Sequence, residues 1–144
     1  MDQKLRPGYC DVGSVDQVEL AGLCAAIGWL KRIDRSVHID RAREQIGRLE
    51  TALKDAGARC FGICEPPGRM PTVAFSVEKR PSAEISVSLK TFGITVGSGL
   101  HCSSLAHQTM GTEGEGLVRM SVGIDQNACE IKAAIEVICR RILT

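Results

Sequence analysis

Two groups in this chain have the types and the setting to do chemistry. Cys102, with His101 beside it, follows the small residues Gly97-Ser98-Gly99, and Arg119 lies at the centre of the apolar run Leu117-Val118-Arg119-Met120-Ser121. A thiolate is a strong nucleophile, and glycines let the backbone of its loop approach a ligand closely. His101, or His107 further along, is placed to activate that thiol or to shuttle a proton. Strand alternation from Leu117 to Val122 sets Val118, Met120 and Val122 on one face and Leu117, Arg119 and Ser121 on the other. There the planar guanidinium suits a carboxylate, held by two parallel hydrogen bonds. A thiol and an arginine so arranged fit sulfur or selenium chemistry on a substrate that carries a carboxylate. Blander readings stand beside this one at the level of the residues. Cys102 then is a buried, inert cysteine at a strand-to-helix turn, and Arg119 forms a surface ion pair with Glu113, Glu115 or Asp125.

Other chemistries have less to stand on. Cys60 and Cys64 have a C-x3-C spacing, and His101, Cys102 and His107 would complete a zinc set. In a strand, however, Cys60 and Cys64 face the same way too far apart to share a tetrahedral ion, so no metal site is expected. No G-x-S-x-G elbow marks a serine hydrolase. The glycine-rich stretch Gly111-Thr112-Glu113-Gly114-Glu115-Gly116 is acidic and would repel phosphate, so it reads as a connection.

The elements that must position these residues follow from periodicity. Ser14 with Gln17 forms a capping box opening a helix that runs to about Ile33. Its centre, Leu20 to Leu30, is apolar on nearly every face, which asks for cover on more than one side. A second helix is predicted from about Asp40 to Asp55, with Ala42, Ile46, Leu49 and Leu53 as its buried stripe and Gly57 as its left-handed stop. Its mixed charges (Arg41, Arg43, Glu44, Arg48, Glu50) read as a solvated face. Strands are expected near Arg59 to Ile63 and from Thr72 to Val77, the latter with Val73, Phe75 and Val77 on one face. A helix from Pro81 carries Ile85, Leu89 and Phe92 and stops at Gly93. Ile94 to Val96 then reads as a short strand feeding the glycine loop. A last helix from about Gln126 presents Ile131, Ala134, Ile135, Ile138 and Ile142. The sum is an α/β fold of the α+β type: a small antiparallel or mixed sheet covered by helices. Residues 1–36 form an N-terminal segment with the apolar connecting helix, and residues 37–144 the small C-terminal domain.

Composition bounds the partners. The chain has 144 residues, 44% of them hydrophobic and 24% charged, with a net charge of +1 and only 3% aromatic. Neither nucleic acid nor an anionic membrane is expected as a partner, since there is no basic excess and no stacking platform. No leader or membrane-spanning stretch is visible. Seven cysteines, an odd number, suggest reduced thiols in the cytoplasm. Cys24, Cys129 and Cys139 fall in helical patterns and are expected to be small buried hydrophobes.

The Gly99-Leu100-His101-Cys102 loop followed by Val118-Arg119-Met120-Ser121 resembles the class V aminotransferase-like enzymes, the group of cysteine desulfurases and selenocysteine lyases. Asp11-Val12-Gly13-Ser14 with the helix after it, the Thr72–Val77 strand and the segment from Pro81 to Gly99 are similar to the family as well. The resemblance implies the C-terminal small domain of a fold type I pyridoxal-phosphate enzyme. It also implies roles: Cys102 as the catalytic thiol that becomes a persulfide while alanine is released, His101 as an auxiliary group of the loop, and Arg119 as the holder of the substrate carboxylate. Ser14 matches a hydroxyl that contacts cofactor phosphate. The cofactor is expected only with a large domain supplied from outside this chain, because no lysine here has the context of the Schiff-base lysine. Gly97 stands where many members have an arginine. The implied partners are that large domain or a second chain, with a homodimer and a sulfur-acceptor protein in view. The alternatives are a non-catalytic dimerisation or sulfur-accepting module derived from this domain, and a small metal or redox domain.

Overall fold

A computed structural model describes residues 16–62, 68–123 and 125–141. The backbone divides into two units, Met1–Arg35 and Ser36–Thr144. In the first, α1 (Gln17–Arg32) is capped by Asp16, whose carboxylate accepts the amides of Val18 and Glu19 at 2.8 and 3.1 Å. The expected Ser14–Gln17 capping box is therefore replaced by a cap two residues later, and Ser14 itself lies outside the described residues. An aspartate one residue before the first turn is the stronger start, because it meets two free amides with a full negative charge. None of the residues of α1 is buried, and Leu23, Ile27 and Trp29 are exposed.

The second unit is a four-stranded sheet with helices against one face. After α2 (Arg35–Asp55) come β1 (Arg59–Phe61), β2 (Thr72–Ser76), α3 (Ser82–Thr91), β3 (Gly97–Gly99), α4 (Ser104–Met110), β4 (Leu117–Ser121) and α5 (Ala128–Arg141). The strands pair antiparallel throughout in the order β1-β2-β4-β3. Cross-strand partners share a face, so register alone sorts the two sides. One row, Cys60–Phe75–Val118–Ser98, crosses all four strands, and the neighbouring row, Phe61–Ala74–Arg119–Gly97, points the other way. Phe75 and Val118 are fully buried and cluster with Ile46, Leu49 and Leu53 of α2, Ile85 and Leu89 of α3, and Ile131 and Ile138 of α5. α2, α3 and α5 thus cover the Phe75 face. Arg119 lies on the face that contributes nothing to that cluster.

The antiparallel sheet and the stripes of α2, α3 and α5 match the expectations. Several details differ. α2 begins at Arg35 and not near Asp40, and Glu50 on it is buried, paired with Lys54 at 2.6 Å and Arg69 at 2.5 Å, where a solvated charge was expected. Phe92 caps α3 with its ring exposed. Residues 94–96 are not a strand. Ile94 and Val96 turn their side chains onto the core without pairing to β4, and the strand is the glycine stretch that follows. Cys24 and Cys129 are exposed and Cys139 is half-buried, so the expected core cysteines are not core. Cys139 donates to the Ala52 carbonyl at 3.7 Å, and burial first, the Asp55 carboxylate second, raises its thiol above the usual value of 9.0. Ile63, Cys64 and Ile142 fall outside the described residues. No helix among those described is long and apolar enough to cross a membrane.

Candidate functional site

Cys102 sits in a tight turn between β3 and α4. The turn is closed by the Ser103 amide donating to the Leu100 carbonyl at 2.9 Å. Its two central residues, His101 and Cys102, both have left-handed backbones with φ of 50° and 58°. Paired positive φ values mark the primed turns, positions usually taken by Asn and Gly. Holding two residues with Cβ atoms there costs on the order of 1–2 kcal/mol each, a strain that clusters at functional sites. The thiol is exposed, which disposes of the buried-cysteine reading for this residue.

Three contacts hold the turn to the sheet. The His101 ring lies against Gly97, and its Nε2 is 3.0 Å from the Leu117 carbonyl. A carbonyl only accepts, so Nε2 donates in this contact. Ser82, which is 4% exposed at the start of α3, accepts the Gly99 amide at 3.1 Å and donates to the Glu115 carbonyl at 2.7 Å. One hydroxyl therefore joins α3, the outer edge of β3 and the connection before β4. Gly116, at φ 64°, passes so close that a Cβ there would stand 2.7 Å from Gly99 Cα. His107 is buried, shares a 2.8 Å hydrogen bond with the Thr112 hydroxyl, and stacks at a tilt 6.3 Å from the His101 ring.

Arg119 is paired in register with Gly97, on the strand next to the one that leads into the turn. The side chain is exposed, and among the described residues it has neither hydrogen bond nor ion pair, so the expected link to Glu113, Glu115 or Asp125 is not made. It lines a cleft of about 640 Å³ at the open edge of β4, together with Gly97, Met120, Gln126, Glu130 and Ile131. Residues 94–96 leave this edge unpaired, which makes the room. Gln126 and Glu130 are committed to the backbone around the start of α5, accepting the amides of Gly123 and Asn127. Among the described residues lining the cleft, the guanidinium is the cation and the Glu130 carboxylate the anion. Cys102, in the turn that follows β3, does not line this cleft.

The sequence pattern missed Ser82 and Gly116, since a lone serine at a helix start reads as a cap and a glycine in an acidic loop as a spacer. Among the described residues no group of three histidine, cysteine or acidic side chains is arranged to hold a metal. Among the described residues, no lysine is placed to hold pyridoxal phosphate either. No lysine lines the Arg119 cleft, and Lys54 and Lys79 are tied to Glu50 and Glu78.

The aminotransferase class-V family model matches residues 3–134. Among solved structures, the apo cysteine desulfurase from Thermococcus onnurineus NA1 superposes with a TM-score of 0.80 at 22% identity, over 89% of this chain and 32% of that one. The cysteine desulfurase CsdA from Escherichia coli gives 0.77 at 21% identity, over 90% of this chain and 31% of that one. A NifS-like protein gives 0.61 at 18% identity, over 72% and 28%. This chain thus spans about a third of the length of these structures. A search of curated proteins returns no match. With the family model covering nearly the whole sequence and the fold shared with cysteine desulfurases, the chain belongs to the class V aminotransferase family.

Proposed function

We propose that this chain is the C-terminal part of a cysteine desulfurase or selenocysteine lyase-like enzyme, inactive alone and completed by the family's large domain. The observation that carries this reading is an exposed Cys102 on a strained turn, one strand away from an Arg119 without an ionic partner among the described residues. In the completed enzyme Arg119 binds and orients the carboxylate of the substrate amino acid. Cys102 takes up the sulfur: cysteine plus the Cys102 thiol give alanine plus the Cys102 persulfide, a balance that needs no external oxidant. His101 lines the thiol's turn as an auxiliary group, and Ser14 keeps its assignment as a phosphate contact supplied to the cofactor. The family is dependent on pyridoxal phosphate, which supplies the electron sink for this class of reaction. Among the described residues no lysine is placed to hold it, and the large domain would supply that capacity.

The partner surface follows from the same reading. The exposed Leu23, Ile27 and Trp29 of α1 form apolar surface of the kind that marks an interaction site. The large domain is the occupant proposed here, with a homodimer and a sulfur-accepting protein as later partners. The cytoplasmic assignment is part of this proposal and rests on the odd number of cysteines, seven. Mixing the chain with a lysine-bearing large domain of a class V desulfurase tests the proposal. Restored pyridoxal-phosphate absorbance and alanine release on adding cysteine support it. A stable complex without alanine release points instead to a non-catalytic module.

A further inference from the structure

The turn that presents Cys102 needs something to hold it, because both of its central residues stand in the left-handed region with full side chains. The His101 ring is the evident latch, and Gly97 is what admits it. A Cβ built on Gly97 would meet His101 Cε1 at 3.1 Å, closer than Cβ atoms ordinarily pack, and Nδ1 at 3.5 Å, an ordinary contact. Gly97 itself is a strand residue, so its backbone does not call for glycine; the absent side chain does. Because Gly97 and Arg119 are cross-strand partners, the imidazole seated over Gly97 lies on the Arg119 face of the sheet. Its Nε2–H then reaches across to the Leu117 carbonyl at 3.0 Å.

We propose that Gly97 and His101 are a positioning pair for the Cys102 thiol: the imidazole, admitted by the bare Cα of Gly97 and tied to Leu117, holds the primed turn that keeps the thiol presented. Its catalytic meaning rests on reading Cys102 as the sulfur-accepting thiol, while the latch is a property of this chain alone. His101 acts here through the turn, and neither residue needs to touch substrate. Opening the latch frees the turn to relax toward right-handed backbone and breaks the bond between the Ser103 amide and Leu100.

The test uses the full chain and hydrogen exchange resolved by residue, comparing wild type with Gly97→Ala, His101→Ala and the double variant Gly97→Ala/His101→Asn. Both single variants are expected to speed exchange of the Ser103 amide by about tenfold or more while amides within α5 keep their wild-type rates. Iodoacetamide labelling followed by mass spectrometry is expected to change in rate at Cys102 by about threefold or more, with the exposed Cys129 as the unaffected reference. The double variant should return Ser103 to about the wild-type rate, since asparagine accepts left-handed φ and removes the ring that conflicts with the methyl group added at position 97. A purely space-filling role would not be rescued this way. Ser103 exchange within about twofold of wild type in either single variant, or no recovery in the double one, overturns the proposal. No cofactor, large domain or cysteine turnover enters the assay, so this result and the desulfurase reading fail separately.

Discussion

Removing the Ser82 hydroxyl should loosen the thiol's strand more than its size suggests. In Ser82→Ala, the Glu115 carbonyl keeps the Ser82 amide as a donor at 3.0 Å, so only one group is orphaned, the Gly99 amide. Leaving a buried amide without an acceptor costs about 1–3 kcal/mol. Alanine's better helix propensity returns a fraction of this, on the order of 0.3 kcal/mol at a first-turn position. The net loss is then about 1–2.5 kcal/mol, which at a urea slope of about 1.5 kcal/mol/M moves the midpoint down by roughly 1 M. The assay is urea unfolding followed by circular dichroism, because the only tryptophan, Trp29, belongs to the other unit. Coincident transitions at two wavelengths should first establish two-state behaviour. Ser98→Ala, at an exposed site on the same strand, serves as control and should stay within about 0.5 kcal/mol. A Ser82→Ala midpoint no lower than that of Ser98→Ala refutes the reasoning, since Gly99 must then have found another acceptor.

The other predictions concern neighbouring features. Gly116→Ala should cost more than Ser82→Ala, about 3 kcal/mol or above, because its Cβ meets Gly99 and Ser82 below 3.0 Å at a positive φ; the same urea titration ranks the two. Arg69→Ala should destabilise the chain by about 1–3 kcal/mol, because the buried Glu50 carboxylate loses one of its two cations while Lys54 stays; no loss in that titration would mean that Lys54 alone suffices. Cys139 has a raised folded-state value, so its protonated form is favoured by folding. Its contribution is whole below pH 9.0 and fades as pH climbs through the folded value, and Cys139→Ala should flatten the alkaline decline in stability. In a reconstituted enzyme Arg119→Ala should fold normally and raise the KM for cysteine about tenfold or more, as loss of a two-pronged carboxylate contact implies; unchanged steady-state KM removes Arg119 from the site.

How much was legible beforehand depended on whether side chains carried the information. The stripes of α2 and α5 and the alternation of β2 are written in apolar residues, and register then followed from burying Phe75 and Val118. β3 was misplaced because glycines carry no pattern: backbone pairing to Leu117–Arg119 defines it, while the β-branched residues just before it pack on the core instead. Glu50 read as solvated because its partner Arg69 is distant in sequence. The left-handed turn at His101 and Cys102 had no signal at all, since neither residue type asks for positive φ. The thiol and the guanidinium were legible as chemistry, yet the clasp of Ser82, Gly97 and Gly116 around them belongs to tertiary contact and had to be seen.

The central claim is that sulfur passes through Cys102 once a cofactor-bearing partner is present. The direct measurement is peptide mass spectrometry of this chain after incubation with cysteine and a lysine-bearing large domain, with persulfides trapped by an alkylating reagent. One added sulfur on the Cys102 peptide, dependent on both the partner and the cysteine, is the predicted result. Alanine release with no sulfur on Cys102, or with the sulfur on Cys24 or Cys129, would contradict it.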